Sequence, residues 1–265
     1  MRFGLTVMAA LASLVIVNAS AATAYAAQNS STPAGNDVSY PQCGRKLPSG
    51  QAFGIVGVND GLANTTNPCL ATEIAWAQTS SGATSQPKVS LYVNTANPGN
   101  LGVADWPANN TDPVTGKHVK DPYGTCTGAD DQACAWQYGW NIASLDAQSR
   151  GVPSPGGYRW WLDVETINSW ESSTQNNRAD LEGMVAYLQG IGGAVGIYST
   201  TQQWAQIAGP VPATSNLYPL PNWIPGAKTL PQAKTNCGSA PLTGGGTVTV
   251  TQWTTSPANS DLSCR

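Results

Sequence analysis

Hydrophobic residues along the chain form short runs whose spacing alternates between strand and helix. Continuous apolar runs ending in turn residues are typical of buried strands, and apolar residues three and four apart are typical of amphipathic helices. Strands are predicted over seven segments: 36–40, 52–60, 88–95, 158–166, 193–200, 220–226 and 247–255. Helices are predicted over 69–78, 133–151, 176–192 and 201–209. The segment 99–135 has no such period, which predicts a long loop.

This order of elements predicts the fold class. Strands that alternate with helices are typical of a parallel sheet with helical crossovers. A chain of 265 residues suits one barrel, and the sequence contains no Gly-x-Gly-x-x-Gly dinucleotide motif. We therefore predict a single α/β barrel of the TIM type, irregular because seven strands rather than eight are found. A doubly wound sheet is the alternative.

The first residues have the features of a cleaved signal peptide. Arg2 provides a positive charge, an apolar run follows, and Ala24 and Ala26 are small residues at the positions that a signal peptidase recognises. A transmembrane anchor is the alternative, but the apolar run is short. A secreted protein is therefore expected. Its predicted parts are a signal peptide (1–26), a polar tether (27–34) and the barrel (35–265).

Six cysteines agree with an oxidising compartment, where disulfides are the default. Proximity along the chain favours three pairs, although about 15 pairings are formally open: Cys126 with Cys134, Cys43 with Cys69, and Cys237 with Cys264. A zinc site is the alternative, but no Cys-x-x-Cys is present and His118 lies in a polar segment. We predict no metal and no cofactor.

Charge excludes several classes of partner. Charged residues make up 10% of the chain and the net charge is −3. This balance provides no basic surface for nucleic acid or for anionic membranes. No contact with a membrane is expected after the signal peptide is removed, and the protein is expected to be a monomer.

Two acidic residues interrupt the aromatic run RWWLDVETINSW at 159–170. On a strand, Asp163 and Glu165 point to the same side, and Leu162 and Val164 point to the other. Glu165 is predicted to be the last strand residue, at the end of a barrel where catalytic groups gather. Two neighbouring buried carboxyls cannot both ionise cheaply, so one should keep its proton. Such an acid and base are what glycosidic cleavage requires, whereas an ion pair or a helix cap is the structural alternative.

Two further acids could join this pair. Asp37 follows the first strand candidate and would reach the same mouth of the barrel. Its alternative role is that of a turn residue after Gly35 and Asn36. Asp261 lies near the C-terminus, and by itself it is interpreted as a solvated loop residue.

Several short motifs occur together in one order along the chain. They are DVSYPQ with Asp37, WWLDVE with Asp163 and Glu165, VGIYST with Tyr198, NWIPGA with Trp223, TQWTT with Gln252 and Trp253, and the closing DL with Asp261. Together they resemble glycoside hydrolase family 25, the lysozyme-type muramidases, from about residue 35 to the C-terminus.

The resemblance implies a flattened α/β barrel that cleaves the β-1,4 bond between N-acetylmuramic acid and N-acetylglucosamine. It implies that Glu165 donates the proton. Asp163 would orient the substrate or stabilise charge, with help from the acetamido group of the sugar. Asp37 would belong to the same acidic cluster, and Asp261 would line it from the last strand.

The chain departs from the family where a saccharide would bind. GVNDG places Asn59 and Asp60 where members carry lysine and glutamate, and LYVNT places Tyr92 and Asn94 in the third strand. The predicted saccharide contacts come from strand ends and aromatic rings. They are Asp60, Tyr92, Asn94, Trp161, Tyr198, Trp223, Gln252, Trp253 and Asp261. Trp161 shares the face of Asp163, whereas Trp160 does not; core packing is the alternative role of each tryptophan.

Three functions are therefore considered. The first is a secreted glycosidase acting on peptidoglycan or a related N-acetylated glycan, with Glu165, Asp163 and Asp37 as catalytic residues. The second is a non-catalytic glycan-binding barrel derived from such an enzyme. The third is a secreted structural protein whose acids form a buried network. A Ser-His-Asp triad is disfavoured, because the chain has one histidine and no Gly-x-Ser-x-Gly.

Overall fold

A computed structural model describes residues 32–101 and 103–264. The predicted signal peptide and all but the last residues of the predicted tether lie outside these residues. The compact unit begins at Pro33. Within the described part of the chain, no helix combines the length and apolarity needed to cross a membrane.

Eight strands form a closed barrel in which neighbours follow chain order. The strands are β1 (Ala34–Val38), β2 (Gly54–Gly57), β3 (Val89–Asn94), β4 (Arg159–Asp163), β5 (Ala194–Tyr198), β6 (Asn222–Ala227), β7 (Val248–Trp253) and β8 (Ser260–Ser263). Strands β1 to β7 pair in parallel, and β8 pairs antiparallel with both β7 and β1. The predicted single α/β barrel is confirmed, and the doubly wound alternative is wrong.

The helices are α1 (Leu70–Gln78), α2 (Gln132–Ser149), α3 (Thr174–Gly190), α4 (Thr201–Ile207) and α5 (Leu230–Asn236). In α2 to α5 the side chain of the residue before the helix accepts a backbone N–H of the first turn, which satisfies one of the free donors there. These caps are Asp131, Ser173, Thr200 and Thr229.

The prediction of seven strands is wrong, because β8 is an eighth. Its sequence, SDLS, has one apolar residue and therefore no recognisable alternation. Helix α5 is also missing from the predictions, since it is short and buries only Ala233. Strand β4 ends at Asp163, so Glu165 lies just beyond the strand rather than at its end.

Strand alternation divides the core into two layers, as the sequence predicts. Trp160, Leu162 and Val164 point outward into the core between the strands and the helices. Trp161 points inward and packs with Trp223 and other buried side chains inside the barrel.

Two inward-facing glycines make room for aromatic rings inside the barrel. A Cβ added at Gly57 would lie 2.6 Å from the ring of Tyr92, and one added at Gly196 would lie 2.3 Å from the ring of Trp161. Any larger residue at either position would force a ring out of the barrel.

Three disulfides join cysteines that are near each other in the chain: Cys43–Cys69, Cys126–Cys134 and Cys237–Cys264. The pairing that sequence proximity favours is confirmed. The last bond joins the end of α5 to the residue that follows β8.

Helices α2 and α3 approach each other closely at two glycines. A Cβ added at Gly139 would lie 1.9 Å from the carbonyl oxygen of Asp180, and one added at Gly183 would lie 2.0 Å from that of Trp136. Since backbone atoms cannot move aside as a flexible side chain can, both positions require glycine.

This contact predicts a difference between two Gly-to-Ala substitutions. Gly139→Ala should lower the free energy of unfolding by about 1–3 kcal/mol, because the helices must separate to admit the methyl group. Gly190→Ala, where no atom lies within 4 Å of the added Cβ, should change it by less than about 1 kcal/mol. Urea denaturation of both variants tests the contact, and equal losses would contradict it.

Candidate active site

A cavity of about 180 Å³ opens at the carboxyl ends of the barrel strands. Its lining residues come from the ends of six strands and from the segment before β8. They are Asp37, Tyr92, Asp163, Glu165, Tyr198, Trp223, Gln252 and Asn259. The structure thus brings Asp37, Asp163 and Glu165, which are far apart in the chain, to one solvent-reachable hollow.

A hydrogen-bonded chain orders one side of the cavity. The Tyr198 hydroxyl donates to Gln252 Oε1 at 3.2 Å, and Gln252 Nε2 donates to Asp37 Oδ2 at 2.9 Å. The tyrosine thereby fixes which way the amide of Gln252 points, and the amide presents its donor to the carboxyl of Asp37.

Asp163 has a different environment. Its side chain is 8% exposed, and its Oδ1 has no hydrogen-bond partner among the described residues. Burial raises the pKa of Asp163 well above its ordinary value, and the charges of Glu165 and Asp37 raise it further. This environment therefore favours the protonated form of Asp163.

The same cause acts on Asp37 and Asp261. Burial raises the pKa of Asp37 to about 6, against the hydrogen bond from Gln252 that lowers it. Burial also raises the pKa of Asp261, followed by the charge of Asp37, while the Trp223 indole donates to Asp261 Oδ1 at 3.0 Å. No lysine or arginine lines this cavity among the described residues, so protons take the place of counter-ions.

Two tyrosines that line the cavity stay neutral. Burial raises the pKa of Tyr92 and of Tyr198, and nearby carboxylates, Asp163 and Asp37 among them, raise both further. The Tyr198 and Trp223 rings lie 4.4 Å apart between centroids. This wall offers apolar faces beside hydroxyl donors, a combination that suits a pyranose ring.

Glu165 is half-buried at the start of the loop after β4. Trp170 Nε1 donates to the Glu165 carbonyl oxygen at 2.9 Å, which fixes the backbone of this loop. Gln203 Nε2 approaches Glu165 Oε1 at 3.5 Å. Gln203 Oε1 accepts from the N–H and the hydroxyl of Thr166 at 2.7 and 3.1 Å, so its amide donor must face Glu165.

Three other predicted site residues lie beside or beneath the cavity without lining it. Asn94 is paired in register with Asp163, and it is buried. Trp161 is fully buried and packs edge-on against Trp223 at 5.9 Å, so it forms the floor rather than a surface for sugar. Asp261 is fully buried below Trp223.

Two predicted site residues lie elsewhere. Asp60 is exposed in the loop after β2 and does not line the cavity. Trp253 packs on the outside of the barrel against Ala227 and Leu262. Since neighbouring strand residues face opposite sides, Gln252 and Trp253 cannot both point inward.

Sequence reasoning missed Asn259 and Gln203. Asn259 precedes β8, and its carbonyl oxygen accepts from Asn36 Nδ2 at 2.8 Å. Only the recognition of β8 would have placed it at the mouth of the barrel. Gln203 lies in the first turn of α4, and nothing in the local pattern distinguishes it from Gln202.

The described residues were compared with the side-chain clusters that bind metal ions. Within residues 32–101 and 103–264, no three or more His, Cys, Asp or Glu side chains are arranged to hold a metal ion. The polar and aromatic groups that line the cavity are carboxyls, amides, phenols and an indole.

Comparisons with known proteins bear on the family and the fold. The family described as Lysozyme-like protein 1 matches residues 157–228. The Dictyostelium discoideum protein named "Probable GH family 25 lysozyme 4" is 37% identical over 49 residues, which are 18% of this chain. That match spans only 22% of the length of the relative.

Solved structures share the fold over most of the chain. A muramidase from Trichobolus zukalii aligns with a TM-score of 0.53 and 17% identity over 87% of this chain and 92% of its own. A family GH25 lysozyme from Aspergillus fumigatus aligns with a TM-score of 0.51 and 14% identity over 86% and 92%. At these identities the likeness shows the fold alone. With the sequence matches, it confirms the resemblance to glycoside hydrolase family 25 and supports a divergent member.

The raised pKa values predict how stability depends on pH. The folded state binds protons on Asp37, Asp163 and Asp261 more tightly than the unfolded chain does. For Asp37, this contribution to stability is complete below about pH 4 and is lost as the pH rises through about 6. The unfolding free energy of the wild type should therefore fall between about pH 4 and about pH 6, and Asp37→Asn should make this fall smaller by on the order of 2 kcal/mol.

Urea denaturation of the wild type and Asp37→Asn at a series of pH values measures this effect. Asp60→Asn, a change in the exposed loop outside the cavity, serves as the matched control. If the unfolding free energy of Asp37→Asn depends on pH as that of the wild type does, the raised pKa of Asp37 would be contradicted.

Proposed function

We propose that this divergent member of glycoside hydrolase family 25 is a secreted, monomeric glycosidase that cleaves β-1,4 bonds of peptidoglycan or a related N-acetylated glycan. The observation that carries the proposal is the single cavity holding a reachable carboxyl, Glu165, beside a buried and unpartnered one, Asp163. Three disulfides support the secreted location, because such bonds persist in oxidising compartments.

Glu165 is the proton donor to the glycosidic oxygen, since it is the half-buried acid that a glycan at this mouth could touch. The proton passes to the leaving oxygen as the bond from the anomeric carbon breaks, water supplies the hydroxyl to that carbon, and the remaining proton of the water restores the acid form of Glu165. The cluster titrates as a unit, so its protons belong to the group rather than to one residue. Within this group, burial favours the protonated form of Asp163.

Asp163 also has a positioning role. When protonated, it can donate a hydrogen bond to the acetamido oxygen of the sugar or to Glu165, since both Asp163 and Glu165 line the cavity. Gln252 donates a hydrogen bond to Asp37, and Tyr198 donates one to Gln252. These bonds fix the side chains of Gln252 and Asp37 on one wall of the cavity, where they face substrate hydroxyls. The partly exposed rings of Tyr92 and Tyr198 provide the faces on which the ring of a sugar stacks, and the buried Trp223 packs behind them.

Glu165→Gln tests the proton donor. The amide keeps the shape of the side chain but cannot donate an acidic proton, so release of reducing ends should fall by at least about 10²-fold. The melting temperature should remain within a few degrees, because the side chain is only half-buried. The substrates are purified peptidoglycans and chitin oligomers, and Asp60→Asn is the control that should stay active. Full activity of Glu165→Gln would refute the assignment.

The same assay separates the competing functions. The chain differs from the pattern of glycoside hydrolase family 25 at Asn59 and Asp60, and this difference favours a non-catalytic glycan-binding barrel as the second candidate. Binding to peptidoglycan without release of reducing ends by the wild type would select it. Neither binding nor turnover, with a large loss of stability in Glu165→Gln, would select a structural role.

Gln203 is predicted to position Glu165. Gln203→Ala should lower kcat about tenfold with little change in KM, because a donor to the carboxyl of Glu165 is lost. Gln203→Glu keeps the contacts with Thr166 but adds a carboxylate, so the alkaline limb of the pH–activity profile should move to higher pH. Gln202→Ala, an exposed neighbour on α4, should change neither. If Gln203→Glu has the same pH–activity profile as the wild type, Gln203 has only a structural role.

A further inference from the structure

A larger cavity of about 510 Å³ lies in the helical layer outside the barrel. It is bounded by α2, α3, the long loop before α2 and the segment between α4 and β6. None of the residues that line it lines the catalytic cavity. The proposed hydrolytic mechanism does not use it.

An aromatic ring of fixed orientation forms one wall of this flank cavity. Tyr123 is 39% exposed, and its hydroxyl donates to Glu182 Oε2 at 2.5 Å. Burial raises the pKa of the Tyr123 phenol, and the hydrogen bond to Glu182 raises it further, so the phenol remains a neutral donor. The ring is thus held in place with part of its surface open.

Polar groups converge on the opposite side around Glu182. The Ser215 hydroxyl donates to Glu182 Oε1, and Asn216 Nδ2 donates to the Glu182 carbonyl oxygen at 2.9 Å. That second bond fixes the amide, and it leaves Asn216 Oδ1 without a hydrogen-bond partner among the described residues. The hydroxyl of Thr214 lies on the exposed rim.

We propose that the flank cavity is a second, non-catalytic saccharide site that takes a neutral N-acetylated pyranose unit. Its combination of an oriented ring, a carboxylate, an amide and hydroxyls matches a ligand with an apolar face and several hydroxyl groups. The choice of a saccharide as the ligand class rests on the proposed function. The N-acetylated form of the sugar follows from the same premise.

Charge decides between neutral and acidic sugars. Glu182 is the only charged side chain among the described residues that line the cavity. Arg178, one turn earlier on α3, donates to the Ala208 carbonyl oxygen and does not line it. A carboxylate-bearing sugar would meet the negative charge of Glu182 inside the cavity, whereas Arg178, whose charge reaches the Tyr123 phenol, lies outside it, so such a sugar should be disfavoured.

Chemical-shift mapping can observe both cavities at once. Isotope-labelled full-length protein carrying Glu165→Gln is titrated with the tetramer of N-acetylglucosamine. Two separate sets of backbone signals should shift, one around Tyr123, Glu182 and Asn216, and one around Asp163 and Tyr198. Shifts confined to the catalytic set, or no shifts at all, would overturn the second site. Reducing-end release by the wild type, measured separately, reports on the proposed function independently.

Substitutions assign the flank signals to the cavity. Tyr123→Ala should weaken their response about tenfold and leave the catalytic set unchanged, because the stacking face is lost. Tyr123→Phe, which keeps the ring, should retain most of the response. Tyr40→Ala removes a comparably exposed tyrosine elsewhere, 42% exposed, and should leave the flank signals intact. Equal responses of Tyr123→Ala and the parent would overturn the proposal.

An acidic probe tests the charge argument. A hyaluronan tetramer, in which N-acetylglucosamine alternates with a uronic acid, should shift the flank signals at least about tenfold more weakly than the neutral tetramer. An equal response would overturn the restriction to neutral sugars.

Discussion

Uncompensated negative charge at the mouth of the barrel is the constraint that the rest of this structure accommodates. Asp163 and Asp261 are buried and Asp37 is half-buried, with no cation among the described residues that line the cavity. The described part of the chain contains one ion pair, Arg150 with Asp146, and it lies outside this site. The acids can share the site only by retaining protons, and retained protons are what an acid catalyst requires.

The barrel interior makes this constraint effective. Trp161 fills the space beneath Trp223 because Gly196 has no side chain, and Gly57 admits the Tyr92 ring in the same way. Water that could solvate the carboxyls from below is therefore excluded. Packing and electrostatics are thus two parts of one arrangement: a floor without gaps keeps the local dielectric low, and the low dielectric keeps the pKa values high.

Much of this arrangement could be predicted from the sequence, because it follows from the period of a strand. Alternation placed Trp161 and Asp163 inside and Trp160 outside, and sequence proximity indicated the disulfides. The same rule excludes Trp253 once Gln252 points inward, yet both were predicted as site residues on the strength of a motif. Gln203 and β8 were not predictable, since their roles come from contacts across the fold. A four-residue strand with one leucine takes its conformation from its two neighbours.

Strand β8 carries Asp261 and lies antiparallel between β7 and β1, in register with Gln252 and Gly35. It is the seam of the barrel, held by four residues of ladder and by the covalent link from Cys264 to Cys237 on the far side of α5. Where thiols stay reduced, this seam would rest on its hydrogen bonds and on the packing of Leu262 against Ala227 and Ala233. Oxidation of this one cysteine pair therefore adds a covalent restraint to the strand that carries Asp261.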